Sequence, residues 1–105
     1  MAVQLFQDIY RLTDTWPRPQ MFGLITDIRR AAMGISTNLS EGQAHPGNPE
    51  FKDFVAMSQD LLRDLQGHLM AASNNPLLTA TEIQPLVQQA QDLHGKLQEL
   101  AASLA

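Results

Sequence analysis

Apolar residues recur at alternating intervals of three and four along the last quarter of the chain: Ile83, Leu86, Ala90, Leu93, Leu97, Leu100 and Leu104. A helix turns once every 3.6 residues or so, which places all seven side chains on one helical face; no strand does this. Such a stripe is stable in water only when something covers it. The rest of the chain supplies three more. Leu5, Ile9, Leu12 and Trp16 make the first, and Ile25, Ile28, Ala32, Ile35 and Leu39 the second. The third is thicker, with Phe51, Phe54, Val55, Ser58, Leu61, Leu62, Leu65, Leu69 and Ala72.

Prolines set the breaks between the stripes. Pro17 and Pro19 end the first segment near Thr15, and Trp16, which precedes a proline, is biased towards extended backbone. The second segment runs from about Met21 to Glu41. Gly42 is placed to close it in the left-handed conformation, and Pro46 bars resumption. In HPGNPEF, Asn48 stands where a cap is needed, Pro49 takes the first helical position and Glu50 complements the positive helix end. The third segment stops at Asn74, Asn75 and Pro76. The fourth opens after Thr79 or Thr81, each followed three residues later by Glu82 or Gln84 as in a capping box. Pro85, close behind, predicts an irregular first turn. Connections of roughly six to eight residues favour antiparallel neighbours. The expectation is one all-α domain over residues 1–105, an antiparallel up-down-up-down four-helix bundle.

Composition limits what such a bundle can do. The chain has no cysteine, which rules out disulfides, thiolate ligands and cysteine nucleophiles. No apolar run approaches the roughly 18 residues that a membrane span needs, and no basic-then-apolar leader opens the sequence. A cytoplasmic protein without membrane contact is expected. Seven Lys and Arg against eleven Asp and Glu leave a net charge of −4 and a pI near 5.1. That balance disfavours a surface built to neutralise phosphates, so RNA is a disfavoured partner.

Nor do the polar residues assemble a reaction centre. His45, His68 and His94 fall in a loop and two different helices without ligand spacing, and no Glu-x-x-His pair of the di-iron kind exists. Asp64 and His68, four apart, make at most a local pair. Ser36 and Ser40 have no histidine nearby in sequence to activate them. Gly34, Gly42 and Gly47 follow no strand, so they form no phosphate loop. The expectation is a non-enzymatic protein with no catalytic residue, cofactor or metal.

One stretch, RRAAMGISTNLSEG at residues 29–42, departs from ordinary helix composition. Its apolar stripe clusters within about 80° of arc, while Arg30, Gly34, Thr37, Asn38 and Glu41 gather opposite. A face tuned only for helicity would use Glu, Lys, Gln and Ala. Gly34 permits close approach, and Asn38 and Glu41 supply directed hydrogen bonds, a combination suited to a surface pressed against something else. Arg29 and Arg30 are the only adjacent basic pair, better suited to ion pairing with carboxylates than to phosphate in so acidic a chain.

These residues also carry a resemblance. WPRPQMFGLITDIRRAAMGISTNLSEG is similar to the signature of the four helix bundle proteins, also called ribosomal RNA intervening-sequence proteins. It keeps Pro17, Phe22, Gly23, Leu24, Arg29, Arg30, Ala31, Ala32, Ile35, Asn38, Glu41 and Gly42. EFKDFV at 50–55, Asp64, Leu65 and Leu69 also fit, as does DIYRLT near the start. Members usually carry a further segment with a tryptophan ahead of the first helix, and a basic turn after the Glu-Gly pair. Here that turn is QAHPGNP, with no Lys or Arg.

The resemblance implies a cytosolic bundle that forms homopentameric rings and has no established catalytic activity. It therefore implies a self-assembling scaffold or interaction protein. The alternative is an RNA-associated accessory protein, of the ribosomal RNA insertion or retroelement type. Arg29, Arg30, Gly34, Asn38, Glu41 and Asp64 are the candidate interface or polar-network residues. Met21, Met33, Met57 and Met70 are fillers of irregular core or interface gaps, and Phe22, Met33, Met57 and Met70, outside or at the edges of the stripes, are candidate association contacts.

Overall fold

The computed structural model describes residues 2–44 and 49–104. Four helices account for nearly all of them: α1 (Ala2–Thr13), α2 (Arg18–Gln43), α3 (Pro49–Ser73) and α4 (Ala80–Leu104). No strand occurs among the described residues. Each helix packs against its neighbours in sequence, and α1 also meets α4, so the four close into a bundle about one shared core. The long axis of 45 Å suits helices of 25 and 26 residues at about 1.5 Å per residue. With 12 residues, α1 reaches only about half as far along the bundle.

The core holds the residues that the stripes supply: Leu5, Ile9, Ile25, Ile28, Ala32, Ile35, Leu62, Leu65, Leu69, Ile83, Leu86, Ala90, Leu93 and Leu97, with Met21 filling a gap between them. The first stripe is corrected in one respect. Leu12 is only half-buried, and Thr13 takes the fully buried place. A threonine tolerates that position because its hydroxyl donates to the Ile9 carbonyl at 2.6 Å. Ser58, also fully buried, donates to the Phe54 carbonyl at 2.9 Å for the same reason.

The helix ends follow local chemistry with two exceptions. Pro17 and Pro19 fit the opening of α2, which starts at Arg18, earlier than the apolar spacing suggests. Trp16 is buried in the turn before it, its indole N–H without an acceptor. At α4 the Glu82 carboxylate accepts the Thr79 backbone N–H at 2.8 Å, which selects Thr79 over Thr81 as the cap. Pro49 and Glu50 open α3 as their chemistry demands, while Asn48 lies outside the described residues. The first exception is Pro85. The helix runs unbroken through it, with the ring on the exposed side. The second is Gly42, which does not end α2 in the left-handed region. It lies inside the helix and is buried, and α2 closes two residues later at Ala44 in right-handed geometry. The physical reason is a neighbour: a β-carbon at Gly42 would sit 2.8 Å from Phe51 Cδ1 and 3.2 Å from Phe54 Cβ. Glycine is there because α3 comes close.

Candidate interface around the second helix

The polar residues of α2 divide between two edges of the helix. Arg29 turns towards α1 and is largely covered, its side chain 17% exposed. Its Nε donates to the Thr13 hydroxyl at 2.9 Å, and one terminal nitrogen donates to the Asp14 carboxylate at 2.9 Å and to the Tyr10 carbonyl at 3.4 Å. The guanidinium also lies over the Tyr10 ring, 4.5 Å from its centroid. Four partners in one stretch of five residues need a planar, multi-donor cation, which arginine supplies and lysine does not. Arg29 therefore ties the end of α1 to α2.

Arg30 takes the other edge. It shares an open groove between α2 and α3 with Asp27, Ala31, Leu61, Asp64 and His68. No ion pair joins Arg30 to either carboxylate, and Asp64 and His68 make no hydrogen bond to each other. One turn further along α2, Gly34 lets Leu61 in: a β-carbon there would lie 2.8 Å from Leu61 Cδ1. The small residue thus serves packing within the chain, against α3. Asn38 is half-buried on the next turn, and Glu41 is exposed beside Phe6, Met33, Ser36, Thr37 and Ser40 in a shallow groove towards α1. The structure brings Arg30 and Asp64 together, sets Gly34 beside them, and separates all three from Arg29 and Glu41.

Sequence reasoning missed two parts of this network. Thr13 was hidden behind the apolar Leu12, although a threonine at a buried helical position signals a hydroxyl with a partner. Asp8 was not singled out at all. Its carboxylate accepts from Gln89 of α4 at 2.7 Å, from Gln4 at 3.0 Å and from Arg11 at 3.3 Å, and so holds α1 against α4. The Gln89 hydrogen bond, then that of Gln4, lowers its pKa below the ordinary carboxylate value, against the opposing pull of burial. An i, i+4 and i, i+3 set of Gln4, Asp8 and Arg11 was the readable signal, but the partner 81 positions away was not.

Large apolar side chains are also left in solvent, Val3 and Leu77 among them. Phe22 is 69% exposed and Met70 67%, with Met33 at 49% and Met57 at 44%. Met33 borders the groove with Phe6 between α1 and α2. Met70 borders another, between α3 and α4, with Leu69, Val87 and Ala90 under a rim of Gln66, Ser73, Gln84 and Gln91. No described helix is long and apolar enough to cross a membrane, and no group of three His, Asp or Glu among the described residues is placed to hold a metal ion.

These features define a class: an all-α bundle whose ordered polar groups tie helix to helix, with apolar side chains left over on its outer edges. The chain belongs to the 23S rRNA-intervening sequence protein family, whose sequence model matches residues 1–99. No curated protein matches it.

Proposed function

We infer that this chain is a non-enzymatic, cytoplasmic, self-assembling scaffold or interaction protein, a homopentamer in which α2 contributes subunit contacts. Within each protomer the helices run up-down-up-down. The pairing of Gly34 with Leu61 and of Gly42 with Phe51 and Phe54 supports an antiparallel α2 and α3, since position rises along one helix as it falls along the other.

The exposed Phe22, Met33, Met57 and Met70 carry the assembly reading. A monomer gains nothing from four such side chains, and two of them border grooves that already contain half-buried apolar neighbours. The two grooves lie on different helix pairs. A ring closes by repeating one contact between unlike patches, so each protomer must offer two of them. Arg30 and Asp64, which line one groove and have no ion pair among the described residues, would set the orientation of that contact if paired across it. Light scattering across a dilution series tests the reading. A pentameric mass is expected. A mass of 11.6 kDa at every concentration would overturn assembly, and a stable dimer would overturn the ring.

The family's description favours a second reading, an RNA-associated accessory protein. Arg30, without an ion-pair partner among the described residues, is the observation on its side. Against it stand the net charge of −4 and the commitment of Arg29 to α1. Weak or absent binding of ribosomal RNA fragments at physiological salt is expected. Micromolar binding that weakens steeply as salt rises would establish the second reading instead.

A further inference from the structure

A cavity of about 250 Å³ opens beside the first turn of α1, between α2, α3 and α4. Its apolar lining comes from Leu39 of α2, Phe51 of α3, and Leu93, Leu97 and Leu100 of α4. Leu39, Phe51 and Leu100 are only half-buried, so part of their surface remains to be covered. The polar lining is one-sided. Lys96 of α4 lines it, together with Ser36 and Ser40, one turn apart on α2, which also border the groove towards α1. Among the described residues no carboxylate side chain lines it, and the first turn of α1 carries no acidic residue.

Two features mark the polar side of this cavity. Among the described residues Lys96, like Arg30, makes no ion pair, whereas Arg11, Arg29 and Arg63 each have a carboxylate partner. Ser36 and Ser40 make no hydrogen bond, whereas Thr13, Thr26, Ser58 and Ser73 each return their hydroxyl to a carbonyl of the preceding turn. Two helix hydroxyls free of their own backbone, beside a free ammonium and above leucines, make an amphipathic receptor. The volume falls between the roughly 150 Å³ that encloses a benzene ring and the roughly 300 Å³ at which drug-sized sites begin.

We propose that this cavity binds a short-chain amphipathic carboxylate, its hydrocarbon tail among Leu39, Phe51, Leu97 and Leu100 and its carboxylate at Lys96, Ser36 and Ser40. The charge selects an anion, because the single ionic side chain on the lining among the described residues is a cation. Leucines and a phenylalanine select an aliphatic tail over a polar one. The size limits that tail to several carbons, with longer chains projecting into solvent.

Hexanoate, octanoate and 1-octanol titrated into the full chain test this, with the amide resonances of Ser36, Ser40 and Leu97 followed by NMR. Each buried methylene strengthens binding by about fourfold, so octanoate should bind roughly fifteenfold more tightly than hexanoate. Lys96→Glu exchanges an attraction for a repulsion at an exposed position and should weaken octanoate by about tenfold while leaving 1-octanol unchanged. Leu100→Trp, which fills the cavity, should abolish both with the helical circular dichroism retained. A Kd for octanoate weaker than about 10 mM would overturn the proposal. So would equal affinity for hexanoate and octanoate, an equal loss of octanoate and 1-octanol in Lys96→Glu, or undiminished binding by Leu100→Trp.

Discussion

The two glycines that admit α3 should respond oppositely to the same substitution. Both lie inside α2, where replacement by alanine gains up to about 1 kcal/mol of helix propensity in a mid-helix position and less in the last turn. At Gly34 the new β-carbon meets one atom closely, Leu61 Cδ1 at 2.8 Å, with the next at 3.6 Å. That atom is the far end of a flexible, half-buried side chain, whose displacement costs about 0.5–1.5 kcal/mol. Gain and cost cancel, and Gly34→Ala should lie within about 0.5 kcal/mol of the parent. At Gly42 three atoms crowd the site: two of the Phe51 ring at 2.8 and 3.1 Å, and Phe54 Cβ at 3.2 Å. A β-carbon moves only with its backbone, so relief requires shifting α3 itself. Overpacking of this kind costs about 1–3 kcal/mol, and Gly42 sits in the last turn of α2, where little propensity is recovered. Gly42→Ala should therefore lose about 1–2 kcal/mol. Urea unfolding followed by circular dichroism, at one fixed protein concentration because assembly adds to apparent stability, measures both. A Gly42→Ala protein as stable as the parent, or a Gly34→Ala protein that loses more than it, would refute the close-approach account.

Leu93→Ala removes a side chain that is 3% exposed and should cost about 2–5 kcal/mol in the same assay; a loss under about 0.5 kcal/mol would show that this stripe faces no packed core. Arg29→Lys keeps the charge but not the planar fork, so it should lose about 1–3 kcal/mol, nearly as much as Arg29→Ala. Most of that loss belongs to the partly buried Thr13 and Tyr10 contacts, since Asp14 is 63% exposed; full rescue by lysine would reduce the contact to simple charge attraction. For Asp8 the pH dependence has a definite sign. A carboxyl whose folded pKa lies below its unfolded value stabilises the fold fully above the unfolded value, near 3.8, and loses that contribution as pH falls through the folded one. Acid unfolding should begin in that window, and Asp8→Asn should flatten the dependence there; an unchanged acid limb would remove Asp8 as the tie between α1 and α4.

The sequence by itself determined the four helices, most of the core and the approximate breaks. Apolar periodicity and proline chemistry are local, and each can be read within one or two turns. The Thr79 and Glu82 cap and the proline at the start of α3 were legible for the same reason. The tertiary structure decided everything that depends on what faces a residue across the bundle. Gly42 reads locally as a helix end, yet the neighbouring Phe51 and Phe54 hold it inside the helix as a close-approach site. Gly34 reads as an opening for a partner, yet Leu61 of the same chain fills it. Arg29 and Arg30 are identical in sequence terms, but a turn of about 100° between them sends one to Thr13, Tyr10 and Asp14 and leaves the other unpaired beside Asp64. Asp8 and Gln89 meet only because α1 and α4 close the bundle. Helix formation is encoded by neighbours along the chain, whereas the use of each face is set by whichever helix packs against it.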